Sequence, residues 1–394
     1  MSGSFYIEVA CEQRSYGQER ICGDVFLSRK VKEESRTIAV LSDGMGHGVK
    51  ANVLATLTAT MAVNFTMEHK APDRIADIIM NTLPVCSERH MSYSTFTIVD
   101  IEHDGMTTIL EYDNPRSIIL RENKPFDPGW KTVVIESHKN AGKEIHSCRF
   151  QPLKEDRIIC CSDGISQSGL GSDKYPLGWG GDRVREYAIQ LVGNSPKISA
   201  SKLSEKLVNM AYRNDGFHSR DDTSCAAVYF REPRKLLIVT GPPYEKENDP
   251  ELGKAVSSFK GKKVICGATT ADIIARELEL EIEDSLVFDD PELPPVSHME
   301  GIDLVTEGIL TITKVTRILK EFSPSYTPGK GPADRIVKLV RKSDEIHFII
   351  GTRINVAHQD PNLPVELEMR RTVVRRMAHL LEDKFLKEVT IRYI

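Results

Sequence analysis

Ser42-Asp43-Gly44-Met45-Gly46-His47-Gly48 is the stretch whose reading decides the fold. The apolar run Thr37-Ile38-Ala39-Val40-Leu41 before it reads as a buried strand. The Ala-rich stretch from Lys50 to about Glu68 after it reads as an amphipathic helix. A carboxylate at a strand end, in a turn made almost wholly of glycine, suits close approach of a ligand to bare backbone. Asp43 offers a hard oxygen donor and the Gly44 carbonyl a second, as Mg²⁺ or Mn²⁺ requires. Taken alone, Asp-Gly is also an ordinary turn.

Three further segments repeat the design. Arg157-Ile158-Ile159-Cys160-Cys161-Ser162-Asp163-Gly164 is an apolar strand ending in Ser-Asp-Gly. His218-Ser219-Arg220-Asp221-Asp222-Thr223-Ser224 runs into the strand Cys225–Phe230, and Ile21-Cys22-Gly23-Asp24 sets a carboxylate before another apolar run. Each has a solvated-turn reading. Four acidic sites at strand ends, far apart in sequence, read together as a metal cluster assembled by folding.

Asp43-Gly44-Met45-Gly46-His47-Gly48, Ser162-Asp163-Gly164-Ile165 and Arg220-Asp221-Asp222-Thr223 resemble the signature of SpoIIE-type serine phosphatases, within the metal-dependent type 2C class. Tyr93–Asp100 and Thr107–Pro115 match that family's central hairpin in pattern, and the resemblance spans about residues 5–232. It implies hydrolysis of a phosphoserine or phosphothreonine regulatory protein by water activated between two Mn²⁺ or Mg²⁺ ions. It also implies Asp43 as bridging ligand with the Gly44 carbonyl, Asp163 and Asp221 completing one metal, and Asp24 on or near the other. Asp222 is then left to orient its neighbour or hold a further ion. Asp43, Asp163 and Asp221 are thus the expected catalytic set.

Two departures stand out against the eukaryotic members of the class. Met45 occupies the place of their histidine, with His47 two residues on. Their phosphate-gripping arginine has no aligned counterpart, Arg20 being the nearer candidate and Arg14 the second. No Cys-x5-Arg nucleophile signature appears.

At 394 residues the chain exceeds what one core usually serves. The boundary is expected near Glu232-Pro233-Arg234, giving a phosphatase domain over 1–232 and a regulatory or ligand-sensing domain over 233–394. The first part, mostly strands with two or three helices, reads as a β-sandwich flanked by helices. The second alternates strands (Leu236–Thr240, Lys263–Cys266, Ile302–Val305, Ile346–Ile350, Val389–Tyr393) with helices (about Pro250–Ser258, Thr270–Leu280, Leu310–Phe322, Pro332–Arg341, Val365–Lys387). That rhythm predicts a three-layer α/β domain with a mostly parallel sheet. The fold class is therefore α/β in two parts. Glu277–Glu292 reads as a solvated helix end and loop.

Lys and Arg number 28 against 31 Asp and Glu in residues 1–232, and 24 against 26 beyond, so neither part carries a basic nucleic-acid footprint. Eight cysteines lie scattered with no CxxC pair, which reads as buried thiols in a cytoplasmic protein. No apolar run approaches the roughly 20 residues of a membrane span, and no secretory leader is evident. A homodimer is compatible with the sequence.

In the second part, strand ends carry Thr240-Gly241-Pro242-Pro243, Cys266-Gly267-Ala268-Thr269-Thr270, Thr306-Glu307-Gly308 and Gly351-Thr352-Arg353. Gly267, Thr269 and Thr270 at a helix start are the candidate ligand-binding residues there; a plain helix cap is the alternative. No GxGxxG or Walker sequence is present, and Arg370, Arg371, Arg375 and Arg376 read as a solvated helix face. The function expected from the sequence is a metal-dependent protein serine/threonine phosphatase with an appended domain that biases the helix beginning near Lys50-Ala51. A metal-binding scaffold without turnover and a small-phosphoester hydrolase are the alternatives.

Overall fold

The computed structural model describes residues 5–70, 72–82, 94–134, 143–323, 325–353 and 363–394. The chain divides into two compact units, Met1–Glu232 and Pro233–Ile394.

The first unit runs β1 (Tyr6–Arg14), β2 (Val25–Val31), β3 (Arg36–Ser42), α1 (Gly48–Met67), α2 (Pro72–Thr82), β4 (Phe96–Ile101), β5 (Thr107–Tyr112), β6 (Ile118–Arg121), β7 (Lys124–Pro125), β8 (Lys131–Val134), β9 (Glu144–Phe150), β10 (Arg157–Cys161), α3 (Asp163–Ser166), α4 (Gly181–Asn194), α5 (Ala200–Asn214) and β11 (Thr223–Arg231). Five strands form one sheet, in order β1-β11-β10-β6-β7, and six form another, β2-β3-β4-β5-β9-β8. All pairings in both are antiparallel.

Three apolar clusters order the layers. Leu41, Val99, Ile109 and Phe150 of the six-stranded sheet pack with Ile158, Val228 and Phe230 of the five-stranded one. The outer face of the six-stranded sheet packs on α1 and α2 through Ile38, Val40, Ala59, Ala62 and Ile79. The outer face of the other packs on α4 and α5 through Ile159, Cys225, Ala188, Leu203 and Leu207. Strands β3, β10 and β11 are buried at every position, which is why their sequences are nearly continuous apolar runs. Helix α1 meets the sheet through Ala51, Ala55, Ala59 and Ala62, small residues that let the two backbones approach closely. Among the described residues, five α-helices stand where the sequence suggested two or three. The added ones are the single turn α3 and the pair α4 and α5, whose amphipathic faces cover β10 and β11.

The second unit continues with β12 (Lys235–Thr240), α6 (Asp249–Ser258), β13 (Lys262–Cys266), α7 (Ala268–Leu278), β14 (Ile282–Asp284), β15 (Ser297–Met299), β16 (Ile302–Thr306), α8 (Ile309–Glu321), α9 (Pro332–Lys342), β17 (Glu345–Ile350), α10 (Leu363–Asp383) and β18 (Glu388–Tyr393). Its seven-stranded sheet has the order β14-β15-β16-β13-β12-β17-β18. The pairings from β16 through β18 are parallel, and β14 and β15 add an antiparallel edge. One face packs against α6 and α7, the other against α8, α9 and α10. Part of the acidic stretch read as helix end and loop is thus the edge strand β14. No described helix is long and apolar enough to cross a membrane.

Candidate metal centre

The strand ends of the first unit meet because its two sheets place them on one rim. Asp43 follows β3, and its backbone is locked in place: Thr95 N donates to the Asp43 carbonyl at 2.9 Å, as does Ser94 Oγ at 2.9 Å. Ser42 Oγ lies 2.6 Å from Ser94 Oγ, and Gly44 forms a β-bridge with Ser94. Asp163 opens α3 directly after β10, where Ser162 N donates to the Ser224 carbonyl and Ser224 N to Ser162 Oγ. That exchange ties the Asp163 turn to the segment carrying Asp221 and Asp222. Gln13 Nε2 then reaches both Ser224 Oγ at 3.0 Å and the Asp24 carbonyl at 3.2 Å, bringing in the fourth acidic segment.

Glycine is required where these loops touch. A Cβ on Gly44 would sit 2.1 Å from the Ala51 carbonyl oxygen of α1, and one on Gly164 would sit 2.2 Å from the Asp222 carbonyl oxygen. On Gly23 it would meet Asp222 Oδ2 at 2.6 Å. Backbone-to-backbone closure of this kind leaves no room for a side chain.

The result is a concentration of negative charge. Asp24 is 2 % exposed, and neither of its carboxylate oxygens accepts an aligned hydrogen bond. Burial lifts its pKa to about 6; the hydroxyls of Ser224 and Ser162 oppose this and the charge of Asp222 adds to it. Asp43 is held well above the usual carboxylate range by burial first, then by Asp24, Asp163 and Asp221. Asp221 is pushed up to about 7 by burial and then by Asp163. Asp113, just after β5, is raised by burial and by Asp163, with Lys143 pulling it back.

Asp43, Gly44, Asp163 and Asp221 line one cleft of about 1100 Å³, together with Met45, His47, Asp113, Arg116, Lys143, His146 and Arg220. Asp24 and Asp222 lie buried beside it. Among the described residues, no three His, Cys, Asp or Glu side chains stand close enough together to form a ready metal-holding group. The donors nonetheless fit a hard divalent cation: they are all oxygens, their charge is uncompensated, and Asp24 presents two orphaned buried atoms.

Of the neighbouring residues, Asp222 Oδ1 accepts from Tyr16 N at 3.0 Å, so this side chain ties the β1–β2 segment to the site. His47 Nδ1 lies 2.6 Å from Glu19 Oε1, and its ring stacks on Tyr16 at 4.3 Å. Arg20 is exposed and outside the cleft lining, while the Arg14 guanidinium lies 4.0 Å over the Tyr212 ring. The cations that do line the cleft, Arg116, Lys143 and Arg220, were not among the sequence candidates. Only Arg220 adjoins a recognisable motif. In the second unit, Gly267 (φ 123°) precedes α7, Thr269 is exposed and Thr270 is buried, with Thr270 Oγ1 3.4 Å from where a Cβ of Gly267 would stand. The helix start there has no side-chain cap.

A family model described as stage II sporulation protein E (SpoIIE) matches residues 33–231. The phosphatase domain of the cell fate determinant SpoIIE from Bacillus subtilis is similar at 15% identity, over 58% of this chain and 94% of that one, with a TM-score of 0.44. RsbX in complex with magnesium is similar at 16% identity, over 58% and 98%, with a TM-score of 0.40. The catalytic domain of the serine/threonine protein phosphatase PstP, in complex with two manganese ions, follows at 14% identity, over 58% and 100%, with a TM-score of 0.38. No curated protein sequence matches the chain.

Proposed function

The chain belongs to the SpoIIE family, and from that premise we propose that it is a metal-dependent protein serine/threonine phosphatase acting on a phosphorylated regulatory protein. The observation that carries this reading is that Asp43, Asp163 and Asp221 line one cleft, with Asp24 buried beside them and its carboxylate oxygens orphaned. Asp43, the Gly44 carbonyl, Asp163, Asp221 and Asp24 are the groups to hold two Mn²⁺ or Mg²⁺ ions. When bound, such ions neutralise a phosphoryl dianion and acidify a water.

The protein's own contribution is placement. Ser94 and Thr95 fix the Asp43 backbone, Gln167 Nε2 donates to Asp163 Oδ2 at 2.7 Å, and the Asp222 backbone N–H donates to Asp221 Oδ1 at 2.9 Å. The carboxylates of Asp163 and Asp221 are thereby each oriented by one donor and keep their remaining lone pairs, while Asp43 is held through its backbone. His47, turned by Glu19 and Tyr16 and lining the cleft, is the candidate proton donor to the departing serine or threonine oxygen. Cys160 and Cys161 do not serve as nucleophiles: both are buried inside β10, and their thiols are driven far up, Cys160 by burial and Cys161 by Cys225 beside it and then by burial. On this reading residues 233–394 serve as a regulatory or sensing module.

The test is turnover of p-nitrophenyl phosphate and of a phosphoserine peptide after chelation and after return of Mn²⁺ or Mg²⁺. Activity that disappears with chelator and returns with metal supports the reading. Undiminished activity in excess chelator overturns it. Turnover of the small ester alone would favour a small-phosphoester hydrolase, and metal binding without turnover on either would favour the scaffold.

A further inference from the structure

The cleft that holds the carboxylates also holds a separate cationic group. Arg116, on the connection between β5 and β6, lines it together with Lys143 and His146 at the start of β9. The Arg116 guanidinium lies 4.4 Å over the Trp130 ring, and its Nη1 is 3.4 Å from Oε2 of Glu111. Both supports are themselves fixed. Trp130 packs against the core between the two sheets, and Glu111, 1 % exposed, accepts the backbone N–H of Ser117 on Oε1 at 2.8 Å. A planar guanidinium held by a ring face and a buried carboxylate has lost most of its rotamer freedom in advance. Even so, 42 % of its side chain stays open to solvent.

The charge neighbours of this group separate it from the acidic end. Arg116 acts on Glu111 and His146, whereas Asp43 and Asp221 are raised first by burial and then by other carboxylates. Asp113 and Lys143 form the bridge between the ends, Asp113 feeling Asp163 on one side and Lys143 on the other. A phosphoryl group seated among the carboxylates would thus leave Arg116 facing a neighbouring part of the same substrate.

We propose that Arg116 is a specificity-determining residue that binds the carboxylate of an acidic side chain flanking the phosphorylated residue of the protein substrate. The inference rests on the phosphatase reading of the cleft. Trp130 and Glu111 are positioning residues for the guanidinium, and Lys143 lends charge to the same end.

The experiment compares two fluorescent phosphoserine peptides that differ only in having Glu or Gln at positions within three residues of the phosphoserine. Binding is read by anisotropy on the full chain carrying Asp43→Asn, so that turnover does not consume the probe. The Glu peptide should bind roughly five- to twentyfold more tightly than its Gln twin, the range of a half-exposed charge-assisted pair. The ratio should shrink as salt is raised. Adding Arg116→Gln should bring the ratio to about one. Adding Arg116→Lys, which keeps a cation but loses the fork and most of the stacking, should give an intermediate ratio; it also decides the question if the Gln variant fails to fold. A ratio unaffected by either substitution, or no preference in the parent chain, overturns the proposal. Turnover of the Gln peptide by the unsubstituted chain with Mn²⁺ is measured in parallel. Its absence would refute the phosphatase reading, while the binding ratio would still decide the role of Arg116.

Discussion

Replacing Asp24 by Asn should stabilise the metal-free protein while blunting its response to metal. Asp24 is 2 % exposed, its carboxylate oxygens lack aligned donors, and burial lifts its pKa from 3.8 to about 6. At about 1.4 kcal/mol for each tenfold change in acidity, holding it ionised at pH 8 costs the fold on the order of 3 kcal/mol. The sign is set by the folded value lying above the unfolded one: the contribution is favourable in full below about pH 3.8 and is lost as the pH climbs through about 6. An Asn keeps the shape without the charge, though its amide also needs partners. The expected gain is therefore roughly 1–3 kcal/mol, or about 3–8 °C in melting temperature for a domain of this size. Thermal unfolding in EDTA should show the variant melting above wild type at pH 8, with the two curves converging near pH 4. Added Mn²⁺ should raise the wild-type midpoint at pH 8 and raise the variant's less, because ligand bound only to the folded state stabilises it by mass action. A variant that melts below wild type at pH 8 in EDTA, or that gains as much from Mn²⁺, would refute the reasoning.

Asp43→Asn should lower turnover by at least about 10²–10³ at saturating metal, measured on p-nitrophenyl phosphate, since it removes a charge placed to serve both ions. Gly44→Ala forces a Cβ to within 2.1 Å of the Ala51 carbonyl oxygen and should destabilise by about 1–3 kcal/mol. Its metal-induced rise in melting temperature should also be lost. Asp221→Asn should be nearly inactive, whereas Asp222→Asn, which still accepts the Tyr16 N–H, should keep most activity; the opposite order of rates would show that the ligand is Asp222. Iodoacetamide under native conditions should leave turnover unchanged, because Cys160 and Cys161 are at most 6 % exposed, with thiols kept protonated by burial in Cys160 and by Cys225 and then burial in Cys161.

Strands β3, β10 and β11, beside three of the four acidic motifs, were readable because each is buried at every position, which writes a nearly continuous apolar run into the sequence next to the carboxylate. The Asp-Gly turns were readable for a related reason: glycine at Gly44 and Gly164 answers a backbone contact that admits no other residue. The helix after Asp43 was placed within two residues at its start, and β12, β13 and β16 were placed to within one residue at either end. Strand β14 escaped because its three residues lie in an acidic stretch with no alternation, and only pairing with β15 makes them a strand. Arg116, one of the cations that line the cleft, escaped for a deeper reason. Proximity along the chain favoured Arg20, four residues before Asp24, yet the turn there points it to solvent. Arg116 lies 73 residues beyond Asp43 and enters through the β5–β6 connection, held by Trp130 and Glu111. The candidate metal ligands announce themselves locally: Asp24, Asp43 and Asp163 each adjoin a glycine, and Asp221 stands in an Asp-Asp-Thr run at the start of a strand. A substrate-binding cation needs only a direction, and that direction is supplied by partners a folded sheet brings together.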